Sequence, residues 1–220
     1  MNNDEQNKID KMIDDLSDRL EPVKVIKPTH IRAFVVFVLS VVYVTVVTNF
    51  FLDMRFDLKH RLQDFSFLFE VVYVLLICFL SFYAAAKLSL PDVRHVKWYV
   101  LSPVLMVVLG AVLLLAQYIS HDLPLRIDIG RFSYHHCMLD GVFLVSLPVL
   151  ICVFLVRRGA TTHPYLAAMV SSIGGGMMGW LGLRMGCGSN DISHLFFAHF
   201  LPFFIIAFVP SLLARKIFRW

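Results

Sequence analysis

The stretch "AFVVFVLSVVYVTVVTNFFL", residues 33–52, runs for twenty residues without a charge. That is the length an α-helix needs to cross the hydrocarbon of a bilayer. Working outward from it, five more apolar runs follow, at about residues 65–86, 98–119, 138–156, 165–183 and 195–213, each bounded by Lys, Arg, His, Asp or Gly. Lipid offers no hydrogen-bond partner to a peptide group, so such runs must satisfy their backbones internally as helices. A chain that is 58% hydrophobic and 16% charged, with 20 phenylalanines, fits no soluble class. The expected fold is an all-α integral membrane protein with six transmembrane helices and a short cytoplasmic amphipathic N-terminal helix. The expected organisation is a polar segment (1–30), a membrane domain (31–213) and a short tail (214–220).

Six spans place both termini on one side. If that side is the cytoplasm, the inner segments hold fourteen Lys and Arg and the outer loops six, the asymmetry that sets topology in membranes. Residues 1–30 are polar and lack the apolar stretch of a secretory signal.

The N-terminal segment carries seven acidic and five basic side chains over residues 1–30, although the whole chain has a net charge of +4. Within it Ile9, Met12, Ile13, Leu16 and Leu20 recur at helical spacing and form one apolar face, which Pro22 ends. So short a helix is marginal alone in water, and nothing else in the chain supplies a soluble core to receive it. Two readings stay open: the helix lies on the membrane, or a protein partner takes it in a groove. Its acidic face suits a basic partner better than an anionic leaflet.

Ionisable side chains at membrane depth are few. Glu70 and Asp140 fall near the outer ends of spans two and four. With no acid or histidine near the midplane, a pump or ion-coupled transporter is disfavoured. The fifth run, "SSIGGGMMGWLGLRMG", aligns Ser171, Gly175, Gly179, Gly182 and Gly186 along one side. A face without side chains admits a neighbouring helix closely, either within the chain or from a second copy.

Cys78 and Cys152 sit among aliphatic residues and read as small hydrophobes. Cys137, in "SYHHCMLDG", and Cys187, in "RMGCGSNDISH", lie at the outer ends of successive helices. Near them fall His121, His135, His136, His194, His199, Asp140 and Asp191. Two thiols facing an oxidising compartment can form a disulfide, thiols with imidazoles can hold a soft metal, and unrelated free thiols are the third reading. The chain has no CxxC pair for disulfide exchange and no nucleophile–base motif for hydrolysis, so no enzymatic activity is expected.

From about Leu16 to Trp220 the chain resembles the NrsF family, "negative regulator of sigma F", six-span anti-sigma factors of the bacterial inner membrane. The resemblance rests on "LSDRLEPVKVIKP" with Arg32, "RFDLKHRLQDFSFLFE", "AAAKLSLPD", "CMLDGVFLVSLP", "VRRGA", "LRMGC" with "HLFFAHFLP", and the closing "FRW", in that order. It implies a cytoplasmic N-terminus that holds an extracytoplasmic-function sigma factor, and a paired-cysteine sensor at Cys137 and Cys187 on the periplasmic face. Family members commonly have His immediately before the second cysteine, where this chain has Gly186. His199 is kept, with His194 and His136 as nearby imidazoles.

The expected function is that of a membrane-bound anti-sigma factor. Its partners would be the sigma factor and the lipid bilayer, with no direct nucleic-acid contact and a homo-oligomer left open. No resident cofactor is expected, only transient heavy-metal binding at the cysteine pair. The competing reading is a small metal or solute transporter or channel with a Cys/His entry site.

Overall fold

The computed structural model describes residues 3–18, 27–52, 54–91, 95–120 and 132–218, and among these all regular structure is helical. The order is α1 (Asn3–Asp18), α2 (Thr29–Phe51), α3 (Leu58–Arg61), α4 (Phe65–Leu88), α5 (Val96–Ser120), α6 (Phe132–Arg157) and α7 (Pro164–Gly186). Then come α8 (Ile192–His194), a π-helical turn (Leu195–Phe200), α9 (Leu201–Leu212) and α10 (Ala214–Ile217). Five helices among the described residues, α2, α4, α5, α6 and α7, are long and apolar enough to cross a membrane.

The sixth apolar run is not one uniform α-helix. Its first part passes through a π-turn, in which the Leu201 amide donates to the Phe196 carbonyl five residues back. Pro202 follows directly and has no N–H to return to Ala198, so the α-ladder cannot close across this point. The register opens by one residue instead.

The bundle is organised around α7. Its membrane-length window is 78% buried, against 11% for α5, and it packs on α4, α6, α9 and α2. Close approach explains the burial. A Cβ at Gly175 would collide with Val149 of α6, and one at Gly179 with Val145. At Gly182 it would lie 2.8 Å from Leu144 and 2.9 Å from Val44 of α2, and at Gly174 2.6 Å from Phe82 of α4. Ser171 turns its hydroxyl back to the Ala167 carbonyl at 2.7 Å and receives the Cys152 thiol at 3.3 Å. Gly186, the last residue of α7, is half-buried.

At the end of the bundle opposite Cys137 and Cys187, Arg32 ties three elements together. Its guanidinium donates to Ser89 Oγ at 2.9 Å and to the Leu155 carbonyl at 2.7 Å. Helix α1 precedes this membrane-length set, with Ile9, Met12, Ile13 and Leu16 all exposed on it. Leu20 lies outside the described residues.

A branched side chain at Gly175 should lower stability, because overpacking a close-packed core costs about 1–3 kcal/mol, or about 3–10 °C in a chain of this size. Thermal unfolding of the detergent-solubilised Gly175→Val variant should show that loss. Gly188→Ala, where a Cβ would meet nothing within 4 Å, should match the wild type.

Candidate functional site

Cys137 stands in the second turn of α6, and Cys187 is the first residue beyond α7. The Cys187 amide still donates to the Leu183 carbonyl at 2.7 Å, after which the backbone turns extended, so its side chain is fixed to the helix end. The two thiols meet there. The Cys137 S–H donates to the Cys187 sulfur across 3.8 Å, and both residues are free thiols of intermediate burial.

Two imidazoles complete the group. His194 Nε2 lies 3.5 Å from Cys187 Sγ. His199 is fully buried, its ring 5.0 Å from that of His194 and edge-on to Trp180 at 5.9 Å. Residues five apart fall on different faces of an α-helix but nearly eclipse in a π-turn, whose hydrogen bonds link i and i+5. The widened turn 195–200 thus brings His194 and His199 to the same thiols. One donor atom from each of Cys137, Cys187, His194 and His199 lies within 4.8 Å of the others.

The chemistry of this set suits both redox and metal. A sulfur pair at 3.8 Å needs to close by less than 2 Å to reach the ~2.05 Å of a disulfide. Two thiolates and two imidazoles are also the donors of a tetrahedral zinc or Cu(I) site. The donors would contract to roughly 3.3–3.8 Å from one another around an ion with bonds of 2.0–2.3 Å. His199 supports that fit, since neither of its buried ring nitrogens has a hydrogen-bond partner among the described residues. An orphaned buried imidazole normally costs stability, and a bound ion would relieve it.

The hydrogen bond from Cys137, aided by the imidazoles of His194 and His199, holds the Cys187 thiol below its ordinary value, against the opposing effect of burial. Thiolate character at Cys187 is what makes it the attacking sulfur and the better ligand.

The other candidates stand apart from the cluster. Asp191 is the N-cap of α8, accepting from the Ser193 amide at 3.2 Å and its hydroxyl at 2.8 Å. His136 is exposed and Asp140 half-buried on α6. His121 and the side chain of His135 lie outside the described residues.

Three supporting interactions escaped the sequence reading. Arg184 forms a two-pronged ion pair with Glu70 of α4 at 2.7 and 2.8 Å, and the Trp180 indole N–H adds a third bond to the same carboxylate at 3.0 Å. The signal was an acid and a base both placed near the ends of apolar runs. The remaining two tie the segment between α2 and α3 to the end of α7 and the loop after it. Arg55, 5% exposed, grips Asp57 at 2.6 and 2.9 Å and reaches Asn190 Oδ1 at 3.3 Å. Its backbone amide also donates to the Met185 carbonyl at 3.1 Å. The guanidinium holds the Asp57 carboxyl well below the usual range, at about 2.

A family model described as "Negative regulator of sigma F" matches residues 16–220. The chain belongs to the NrsF family. The match begins in the last turn of α1, so Ile9, Met12 and Ile13 precede it, whereas all four residues of the thiol–imidazole cluster fall inside it. Membership makes this a regulatory protein acting negatively on a sigma factor. No curated protein matches significantly, and neither does any solved structure.

Alkylation of the detergent-solubilised protein should label Cys187 with a pH midpoint below the ordinary thiol value of about 8.5. Cys137→Ala and His194→Ala each remove a group favouring the thiolate and should move the midpoint upward. An unchanged midpoint in both would show that the cluster does not activate Cys187.

Proposed function

We propose that this protein is a membrane-embedded anti-sigma factor of the bacterial inner membrane. It holds an extracytoplasmic-function sigma factor through α1 and releases it when the Cys137–Cys187 pair reacts with an oxidant or a thiophilic metal ion. The observation that carries the capture step is the exposed apolar stripe Ile9, Met12, Ile13 and Leu16 on a helix with acidic residues around it. Such a stripe, with no soluble core of its own chain to bury it, suits the groove of a basic partner.

The charge asymmetry between alternate loops supports an inward N-terminus. That orientation gives α1 to the compartment of the transcription machinery and the thiols to the oxidising side, where cysteine pairs are stable as disulfides. With a peroxide as oxidant the chemistry balances: the two thiols give up two electrons and two protons, one S–S bond forms, and the peroxide leaves as water. Closing the sulfurs would draw the end of α7 toward α6. Because α7 packs on α2, α4, α6 and α9, displacement at its end reaches α2, the helix that follows the N-terminal segment in the chain. No enzymatic turnover is required, and the sigma factor rather than nucleic acid is the ligand.

Met12→Asp combined with Leu16→Asp should reduce co-purification of the sigma factor from membranes by tenfold or more while the protein still inserts. Undiminished co-purification would refute capture by the stripe. Peroxide treatment of the wild type should join the Cys137 and Cys187 peptides with a loss of 2 Da by mass spectrometry, and Cys187→Ser should abolish induction of sigma-dependent genes. A transporter or channel would instead keep its flux when residues 1–28 are deleted, whereas an anti-sigma factor would lose all control.

A further inference from the structure

The four donors at the end of α7 come from four different places in the chain. Cys137 belongs to α6, Cys187 follows α7, His194 ends α8 and His199 lies in the π-turn. An ion shared among them would join the last apolar run to α6 and α7 at one point. Spacing, support and charge together decide whether the set is built to hold one.

The spacing is that of a cage. Donor atoms 3.8 Å apart from Cys137 to Cys187, 3.5 Å from Cys187 to His194, and within 4.8 Å for the other pairs surround a centre about 2–3 Å from each, close to zinc's bonds of about 2.0–2.3 Å. The imidazoles are placed by contacts that owe nothing to the thiols. Asp191 caps α8 through the amide and hydroxyl of Ser193, which sets His194 one residue on. Trp180, fixed by its bond to Glu70, stands edge-on to the His199 ring. Outer contacts of this kind orient ligands before an ion arrives. His199 is fully buried with neither ring nitrogen hydrogen-bonded among the described residues, while the half-exposed thiols leave a way in.

Charge selects the ion. Two thiolates carry two negative charges, and the guanidinium groups of Arg184 and Arg55 are already taken by Glu70 and Asp57. A dication makes the centre neutral, whereas Cu(I) would leave one uncompensated charge, which burial penalises. The set has no carboxylate, so the hard dications Ca²⁺ and Mg²⁺ find no oxygen donors in it. Sulfur and imidazole in a tetrahedron suit zinc. We propose that Cys137, Cys187, His194 and His199 hold a zinc ion in the resting protein. As it binds, both S–H protons leave to solvent, and two S–Zn and two N–Zn bonds form. The ion fastens the last apolar run to α6 and α7 at the thiol end. This rests on the same thiols as the regulatory reading above and deepens it: an oxidant or a softer metal ion then acts by displacing zinc that is already in place.

Full-length protein, purified in detergent under reducing conditions and freed of metal with a chelator, should bind one equivalent of Zn(II). X-ray absorption at the zinc edge should show two sulfur neighbours at about 2.3 Å and two imidazole nitrogens at about 2.0 Å. Co(II) in its place should give the visible bands of a tetrahedral site and a sulfur-to-metal charge-transfer band. His194→Ala should weaken Zn(II) binding by about 100-fold or more, since even an outer-contact residue costs about 10–100-fold. His136→Ala, at an exposed position outside the set, should leave it unchanged. No stoichiometric zinc binding by the reduced wild type, binding of Cu(I) alone, or a zinc shell without imidazole would overturn the proposal. The X-ray absorption measurement uses the wild type, so a misfolded His194→Ala variant does not weaken the test. Sigma-factor co-purification from the same membranes separates the two readings: capture without a zinc site rejects this proposal alone, and a four-ligand zinc site without capture rejects the regulatory reading alone.

Discussion

Helices in lipid gain nothing from burying apolar surface against one another, because the surrounding acyl chains are equally apolar; what holds them together is how closely their atoms can pack. Helix α7 meets that constraint by lacking side chains where its neighbours arrive. Val149, Val145, Leu144 and Val44 occupy the places where Gly175, Gly179 and Gly182 would otherwise carry a Cβ. The glycines thus face helices of the same chain, and the close approach is intramolecular. The geometry of the thiol end follows from it, since Cys187 continues directly from α7 and Cys137 belongs to the helix packed closely against it.

Packing alone would leave the end of α7 free to fray, and polar contacts fix it. The Glu70 carboxylate receives both Arg184 and Trp180 near the thiol-bearing end of the bundle. Removing either charge would strand the other in a poorly hydrated place, a costlier loss than the pair is worth as a net contribution. Beside it, Arg55 is bonded to Asp57, Asn190 and the Met185 carbonyl, which joins the segment between α2 and α3 to the end of α7 and the loop bearing Cys187. The thiol pair therefore sits on a framed platform and not on a loose loop. Small changes in sulfur separation have rigid elements to push against.

The π-turn contributes in a different way. By opening the helix by one residue it makes the buried His199 a neighbour of Cys187, with neither ring nitrogen hydrogen-bonded among the described residues. Strain of this kind persists only where surrounding structure enforces it, and such turns recur at functional sites. Here the enforcing contacts are Trp180 edge-on to the imidazole and Pro202 just beyond the turn. Family membership supplies the regulatory setting, and the fold brings two thiols and two imidazoles together within it.

The sequence by itself determined a membrane-type chain of six apolar runs, five of which are helices of spanning length among the described residues, the apolar stripe of α1 and the placing of Cys137 and Cys187 at the ends of successive helices. These are written in hydropathy, periodicity and local context, which need no neighbour to be read. Only the tertiary structure decided which imidazoles join the thiols. Asp191 and Asp140 were as near in sequence as His194, yet the first caps a helix and the second lies outside the four-residue cluster. His199 enters through a backbone register change that a 3.6-residue period hides. The Glu70–Arg184 pair was likewise invisible, because charges over a hundred residues apart become partners only once α4 and α7 are packed side by side.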